Sequence, residues 1–351
     1  MPPSAPASDA CVGIIANPIS ARDIRRIITY ASNLQTAERA HIVMRLLTTL
    51  HAMGVPRVLM MPDRAGLRAL LLRELSRAGA RRDALPVLEF LDMEPGSTVE
   101  DSFLAARMMR AAGVKALIVL GGDGTHRAVV RECADVPIAG LSTGTNNAFP
   151  EMREPTVTAL AVGLYATGRL SAAQALVPNK RLDISINGGE RRDIALVDAV
   201  ISTDRTIGAR ALWKTEHLTA AYLTFADPLA IGLSAIGGLL HPVDRRDPFG
   251  LAIGLCEDRE RRRLHVQAPI APGLMADVGI ADWEPMPAGR PYDVGLDAGI
   301  VALDGERELP FERGERVQVT LQPDAFPTVD VSRCMQIAAR DGLFHRPSRD
   351  D

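Results

Sequence analysis

The sequence predicts an α/β domain built on a doubly wound parallel sheet, followed by an antiparallel β-rich domain. Three observations carry this. Short apolar runs alternate with helical stretches over residues 11–178. Beyond residue 178 the pattern changes to two-residue alternation and glycine turns. The chain has 351 residues, enough for two domains of ordinary size, and its apolar fraction of 47% supplies their cores.

The elements follow in order. Val12 to Ala16 is a short apolar run ending at Asn17-Pro18, a buried strand and its turn. Asp23 to Leu50 has helical spacing. Arg57 to Met61 is a second strand, closed by Pro62-Asp63, and Gly66 to Arg77 a helix stopped by Gly79. Pro86 to Leu91 is a third strand. Ser97-Thr98-Val99-Glu100 has the pattern of a capping box, which opens a helix running to Ala112 and ended by Gly113. Val114 to Leu120 is strongly apolar and reads as a strand, Arg127 to Cys133 as a helix, and Pro137 to Ala139 as a short strand. Strand, helix and strand at this spacing imply right-handed crossovers. In the second half, Arg181 to Ile186 and Ile194 to Ser202 flank the hairpin signal Asn187-Gly188-Gly189. Leu251 to Cys256, Leu264 to Ala268, Ile300 to Leu303 and Arg316 to Leu321 are further strands. Arg259 to Arg263 reads as a solvated hairpin tip, and Ala226 to Leu240 as a buried apolar element.

Composition excludes several function classes. The net charge of −3 gives no global attraction for nucleic acid or anionic membrane. Aromatics at 4% argue against a stacking platform for single strands. No apolar run reaches the ~18 residues of a spanning helix. The start, Met1 to Ala10, lacks the features of a signal peptide. Cys11, Cys133, Cys256 and Cys334 are far apart, which fits reduced thiols of a cytoplasmic protein. The seven histidines have no metal-ligand spacing.

The chemistry concentrates at Gly121-Gly122-Asp123-Gly124-Thr125, after a buried strand and before a helix. Ligands of open α/β sheets bind beyond the carboxyl ends of strands. A glycine turn lets the backbone approach a phosphate, and the helix start favours the anion. An aspartate beside bound phosphate is costly unless it works there, by holding Mg²⁺ or by accepting a proton from an attacking hydroxyl. The competing reading is a glycine turn with a solvated aspartate. The P-loop pattern and GxGxxG are both absent. One βα unit later, Gly140-Leu141-Ser142-Thr143-Gly144-Thr145-Asn146-Asn147 either completes a phosphate cradle or is a polar loop. Asp198 sits among apolar residues, as a site residue or a structural polar contact. One of Arg22, Arg25 and Arg26 reaches phosphate, or all three line a solvated helix face. His126 reads as an exposed position, with a place beside the phosphates as the alternative. His241 reads as a cap or core histidine.

These motifs carry a resemblance. Gly121 to Thr125 resembles the GGDGT motif of NAD kinases and diacylglycerol-type lipid kinases. Gly144-Thr145-x-Asn147-x-Phe149 resembles the lipid-kinase GTxNDF segment, and Asn17-Pro18-Ile19-Ser20 their NPxSG loop. Leu233 to Pro242 resembles the NAD-kinase LSAGGPxxHP stretch, and Leu303-Asp304-Gly305-Glu306 their late DG turn. Over residues 12–335 the chain most resembles the acetoin-catabolism X group of ATP-NAD kinase-like proteins, whose opening GIIANPxSxxDIRR is matched by Gly13 to Arg26.

The resemblance implies an NAD-kinase-like fold. It has an α/β nucleotide domain (11–178), a β-rich acceptor domain (179–325) and a C-terminal segment (326–351) that returns to the first domain through Met335 to Leu343. It implies a homo-oligomer, and a kinase that uses ATP and Mg²⁺ to phosphorylate a hydroxyl of a small molecule, with NAD as the default acceptor. Asp123 would be catalytic. Asn17, Ser20, Gly121, Gly122, Gly124, Thr125, Gly144, Thr145 and Asn147 would bind the nucleotide, and Ser142 and Asp198 the acceptor; the metal ligands stay unassigned. The chain departs from the family on the acceptor side. Val197-Asp198 replaces the Asn-Glu pair that contacts the dinucleotide, and a valine cannot replace an amide's hydrogen bonds. Ala226 to Ile231 replaces the hydroxyl-rich TPTGSTAY run, and Ser142 replaces the Asn of GxNxG. The lipid-kinase GGDGTxNE continues here as His126-Arg127-Ala128. These departures raise the alternative of a non-catalytic nucleotide- or dinucleotide-binding regulatory protein. A dinucleotide dehydrogenase is disfavoured by the missing fingerprint.

Overall fold

A computed structural model describes residues 9–18, 34–77, 84–144, 147–204, 215–258 and 260–345. Ser20, Arg22, Arg25, Arg26, Gly79, Thr145 and Arg259 lie outside them, as does the first part of the helix expected from Asp23.

The first half is the expected parallel sheet. Strands β1 (Cys11–Ala16), β2 (Arg57–Met60), β3 (Val87–Phe90), β4 (Ala116–Gly121) and β5 (Ile138–Ser142) pair in parallel in the order β3-β2-β1-β4-β5. β1 and β4 are buried along their whole length, so they read as continuous apolar runs. Their side chains still alternate. Val12, Ile14, Ile118 and Leu120 face a core completed by helices α1 (Thr36–Ala52), α2 (Leu67–Arg77) and α5 (Pro155–Ala166). Ile15, Leu117 and Val119 face the other core, with α3 (Glu100–Ala111) and α4 (Asp123–Cys133).

A short helix, α6 (Ala172–Ala175), leads into β6 (Leu176–Ile186), which continues the same sheet. β6 forms a hairpin with β7 (Arg191–Ala195) across Asn187, Gly188 and Gly189, all at positive φ. The second sheet has the order β11-β12-β10-β9-β8-β14-β15. Its strands are β8 (Asp198–Ser202), β9 (Leu218–Leu223), β10 (Phe249–Leu255), β11 (Leu264–Ala271), β12 (Leu274–Pro287), β14 (Gly299–Leu303) and β15 (Glu306–Phe311). Helix α7 (Ser234–Leu240) follows β9. β13 (Pro291–Asp293) and the long β16 (Val317–Val329) belong to the first sheet, where β16 lies between β5 and β6. The two sheets meet face to face. Ile184 and Ile186 of β6 and Val319 and Leu321 of β16 pack with Ile201, Ala252, Val301 and Leu303 of the second sheet. The chain then enters α8 (Val331–Arg340), whose Val331, Cys334 and Ala338 lie in the core under α1 and α5.

Four local expectations are corrected. The capping box fails: Ser97 has φ 62°, and the buried Asp101 carboxylate instead accepts the amides of Gly96, Ser97 and Thr98. The helix after the glycine turn begins at Asp123, four residues earlier than the apolar pattern indicates. Ile194 to Ser202 is two strands in different sheets, broken at Leu196-Val197. The connection from β10 to β11, expected as a hairpin tip, does not join paired strands. β12 is long enough to pair with both β10 and β11, and it separates them. Among the described residues, no helix is long and apolar enough to cross a membrane.

Candidate active site

Gly121 is the last residue of β4, Gly122 the N-cap of α4 and Asp123 its first residue. The register sets the neighbours. Ala16 pairs with Leu120, which brings Asn17 alongside Gly121, and Gly121 pairs with Ser142. Packing favours glycine at two positions here, and most strictly at Gly121. A Cβ on Gly121 would meet the Thr125 side chain at 2.6 Å, and one on Gly122 would meet Asn147 Oδ1 at 2.7 Å. Asn147 Nδ2 donates to Ser142 Oγ at 2.8 Å, and that hydroxyl donates to the Gly144 carbonyl at 2.9 Å. Gly121, Gly122, Thr125, Ser142, Gly144 and Asn147 therefore form one constellation.

Asp123 faces the segment after Asn147. Its Oδ2 accepts the Ala148 amide at 3.0 Å and its Oδ1 the Phe149 amide at 2.8 Å. These bonds fix the plane of the carboxylate. Asn17 is placed differently. It is buried, with Nδ2 donating to Thr98 O at 2.8 Å and Ser102 Oγ at 3.0 Å, and its carbonyl accepts Arg39 Nη1 at 3.3 Å. Asn17 and Arg39 line a cleft of about 230 Å³ at the ends of β1 and β2.

The expectation of an exposed His126 is overturned. The ring is fully buried, and Nδ1 lies 2.8 Å from the Gly122 carbonyl, which makes it the donor. It packs tilted on Phe149, centroids 5.8 Å apart. Burial pushes its pKa down to about 4, against the hydrogen bonds to backbone carbonyls. The expected cap or core role of His241 is met at the end of α7, where its amide donates to Gly237 O at 2.8 Å.

An acidic cluster lies beyond Gly124. Asp304, at φ 50°, is fully enclosed and accepts the amides of Val197 at 2.8 Å, Leu196 at 3.0 Å and Asp198 at 3.4 Å. It thereby caps the break between β7 and β8. Burial pushes its pKa up to about 8; Arg127, with Nε at 3.6 Å, pulls it down, and Asp198 and Asp123 push it up. Asp198 is buried and accepts the Gly305 amide at 3.3 Å. Arg127 also reaches Asp193 of β7 at 3.4 Å, so α4 is tied to both sheets. A Cβ on Gly124 would lie 3.5 Å from the Glu306 carboxylate. Val197 is 1% exposed within the core around Phe149, Phe225 and Phe326.

Sequence reading missed Arg127, Arg245 and Lys180, and gave Asp304 and Glu306 no role. Charged positions inside apolar stretches were the available signal for Arg127 and Asp304. Arg245, in the loop before β10, donates to the carbonyls of Phe149 (3.0 Å) and Ala148. The Ala148–Phe149 strip is thus held by Asp123 through its amides and by Arg245 through its carbonyls.

As a test of fit, Mg²⁺ takes hard oxygen ligands, commonly one or two carboxylates completed by phosphates. Among the described residues, no three His, Cys, Asp or Glu side chains converge to hold a metal by themselves. The Glu306 carboxylate lies 3.5 Å from the Cβ position of Gly124, the residue after Asp123, so oxygen ligands of the right kind are present at the turn.

Comparisons with known proteins agree with this architecture. Residues 12–169 match the ATP-NAD kinase N-terminal domain family, and residues 180–324 the acetoin catabolism protein X C-terminal domain family. Acetoin catabolism protein X of Cupriavidus necator is 61% identical over 336 residues, which cover 95% of this chain and 93% of that protein. Yeast NADH kinase complexed with NADH superposes with a TM-score of 0.52 at 14% identity, covering 99% of this chain and 94% of that one. A Bacillus anthracis str. Sterne protein assigned as a diacylglycerol kinase superposes with a TM-score of 0.50 at 12% identity, covering 93% and 98%. At these identities the structural likeness establishes the fold, which is NAD kinase-like.

Proposed function

Given that this chain belongs to the acetoin catabolism protein X family and has a nucleotide-binding, kinase-like fold, we propose that it is an ATP- and Mg²⁺-dependent phosphotransferase acting on a hydroxyl of a small molecule. The observation that carries this is Asp123 at the first position of α4, in a glycine turn beyond the carboxyl end of β4. The start of α4 stabilises phosphoryl oxygens through its free amides and dipole. Gly121, Gly122, Gly124, Thr125, Gly144, Asn147 and Asn17 would hold the nucleotide, together with Ser20 and Thr145, which lie outside the described residues. Asp123, held in plane by two amides, takes the proton from the acceptor hydroxyl as the new P–O bond forms. Bound Mg²⁺ would neutralise phosphate charge, with Glu306 as the carboxylate that would hold it beside Asp123. Ser142 and Asp198 would contact the acceptor. NAD is the first acceptor to test, although the buried Val197 offers it no hydrogen bond. The name of the 61% identical relative supports a role in acetoin breakdown; a cytoplasmic place and a homo-oligomeric state belong to the same proposal.

A second reading is a nucleotide- or dinucleotide-binding regulator without turnover. One observation favours it: both Asp123 oxygens already accept backbone amides. The test is ATP consumption by purified protein with Mg²⁺ against NAD, NADH, short diols, acetoin, sugars and glycerolipids. Turnover of one compound is expected, reduced at least ~100-fold in Asp123→Asn with the protein still folded. Retained turnover in that variant would remove Asp123 from the chemistry. Silence across the panel with ATP still binding in calorimetry would favour the regulator.

A further inference from the structure

On the far side of the Ala148–Phe149 strip from Asp123 lies a second cleft, of about 410 Å³. Its walls come from the segment after Asn147, the start of β6, the end of β16 and the first turn of α8. That volume suits a small metabolite. Three arginines line it, Arg153, Arg245 and Arg246, against two carboxylates, Glu151 and Asp330.

The arginines differ in how their charge is met. Arg153 pairs with Glu151, and Arg246 with Asp330 at 3.2 Å. Arg245 has no carboxylate in contact among the described residues. It donates to the carbonyls of Ala148 and Phe149, and its guanidinium lies 4.2 Å from the centroid of Phe225 and 5.4 Å from that of Phe149. A guanidinium has five N–H donors, and two carbonyls and two ring faces do not neutralise it. Burial lowers its pKa, and Glu151, Asp123, Asp227 and Asp244 act on it only from beyond ion-pair distance. A partly buried cation whose carboxylates all stand off at a distance is completed best by an anion in contact.

The loop that carries Arg245 is also fixed in place. Lys180, buried on β6, donates to the carbonyls of Asp244 (3.1 Å), Asp247 (2.8 Å) and Phe249 (2.7 Å). All three ammonium hydrogens serve to set the residues on either side of Arg245. Such clamping presents the guanidinium without further reorganisation on binding.

We propose that this cleft is a binding site for a small oxyanion group, phosphate or carboxylate, with Arg245 as its principal ligand and Arg246 and Arg153 at its rim. The site is separate from the glycine turn and does not depend on phosphoryl transfer. Because Arg245 and Asp123 hold the same two peptides, an anion bound to Arg245 also bears on the support of Asp123.

The experiment is calorimetric titration of the full-length protein with inorganic phosphate, and separately with acetate, at constant ionic strength and without ATP. Saturable binding of at least one anion is expected, weakened tenfold or more in Arg245→Gln and retained in Asp123→Asn. Preference for phosphate or for acetate identifies the anionic group. Equal affinity in wild type and Arg245→Gln, or no binding of either anion, would overturn the proposal. So would phosphate binding lost in Asp123→Asn and kept in Arg245→Gln. Should Arg245→Gln not fold, Arg246→Gln decides, since that side chain is 76% exposed. A severalfold loss supports the cleft, and unchanged affinity refutes it. Failure of the kinase reading is seen separately, as absent ATP turnover.

Discussion

His126 and Asp304 are both buried beside the glycine turn, and their protons respond to pH in opposite senses. His126 stays neutral in the fold down to about pH 4, whereas the unfolded chain protonates it near 6.5. The unfolded state therefore binds more protons in that window, and stability is lost as pH falls from 6.5 to 4. At ~1.4 kcal/mol per pKa unit this amounts to about 3 kcal/mol. Asp304 keeps its proton in the fold up to about pH 8, while the unfolded chain loses it near 3.8. Here the folded state binds more protons, so stability falls as pH rises between those values. Asp304→Asn keeps an acceptor for the Leu196 and Val197 amides and suits the positive φ, but it cannot titrate. The wild-type melting temperature should decline between pH 6.5 and 8, and that of Asp304→Asn should stay level. Toward pH 4 the two effects offset each other in the wild type, which should stay nearly level, whereas the variant should drop. Identical profiles would mean that Asp304 is ionised in the fold at neutral pH.

Among the elements, α7 and the loop before it show why the Leu233-to-Pro242 stretch is rich in glycine. A Cβ on Gly237 would overlap the Leu223 side chain, and one on Gly238 would run into the backbone of Asp227 and Pro228. The helix sits directly on the chain that leaves β9. A side chain such as Leu223 can yield by a rotamer change, whereas a backbone cannot yield without moving the loop. Gly238→Ala should therefore destabilise by about 2–3 kcal/mol. Gly295→Ala, with nothing within 4 Å of the new methyl, should be near neutral. Urea unfolding of the two variants checks this, and equal midpoints would show that the α7 contact is loose. Patterning read the strands of the first half well because they are buried on both faces. It missed β9, β12 and β15. β9, Leu-Thr-Ala-Ala-Tyr-Leu, has no two-residue alternation to mark it, and β12 alternates with exposed polar residues along 14 positions.

For the whole molecule, the last described helix closes the first core. Val331, Cys334 and Ala338 of α8 are buried with residues of α1, α5 and the strands, and Cys334 Sγ approaches the Ala175 carbonyl at 3.7 Å. Termination after Val329 removes these contacts and uncovers the face they protect. The expected cost is more than ~3 kcal/mol, from burial of about three apolar side chains and of what they cover. It should appear as a lower urea midpoint and faster proteolysis. An unchanged midpoint would show that α8 is an appendage and that the first core is complete without it.

The sequence by itself determined the β4–glycine turn–α4 unit, the parallel sheet around it and the change to antiparallel strands after residue 178. These depend on neighbours a few residues apart, where periodicity and glycine act directly on the backbone. Only the tertiary structure decided who meets whom across the chain. Asp304 reaches the Val197 amide from 107 residues away, Arg245 reaches Phe149 from 96, and Lys180 holds a loop 64 to 69 residues on. Ile194 to Ser202 looks like one strand because its apolar run has no gap, and the carboxylate that lets it break lies in a distant turn. A buried charge is legible as a residue type, but its partner is set by topology, because desolvation selects whichever complementary group the fold brings near.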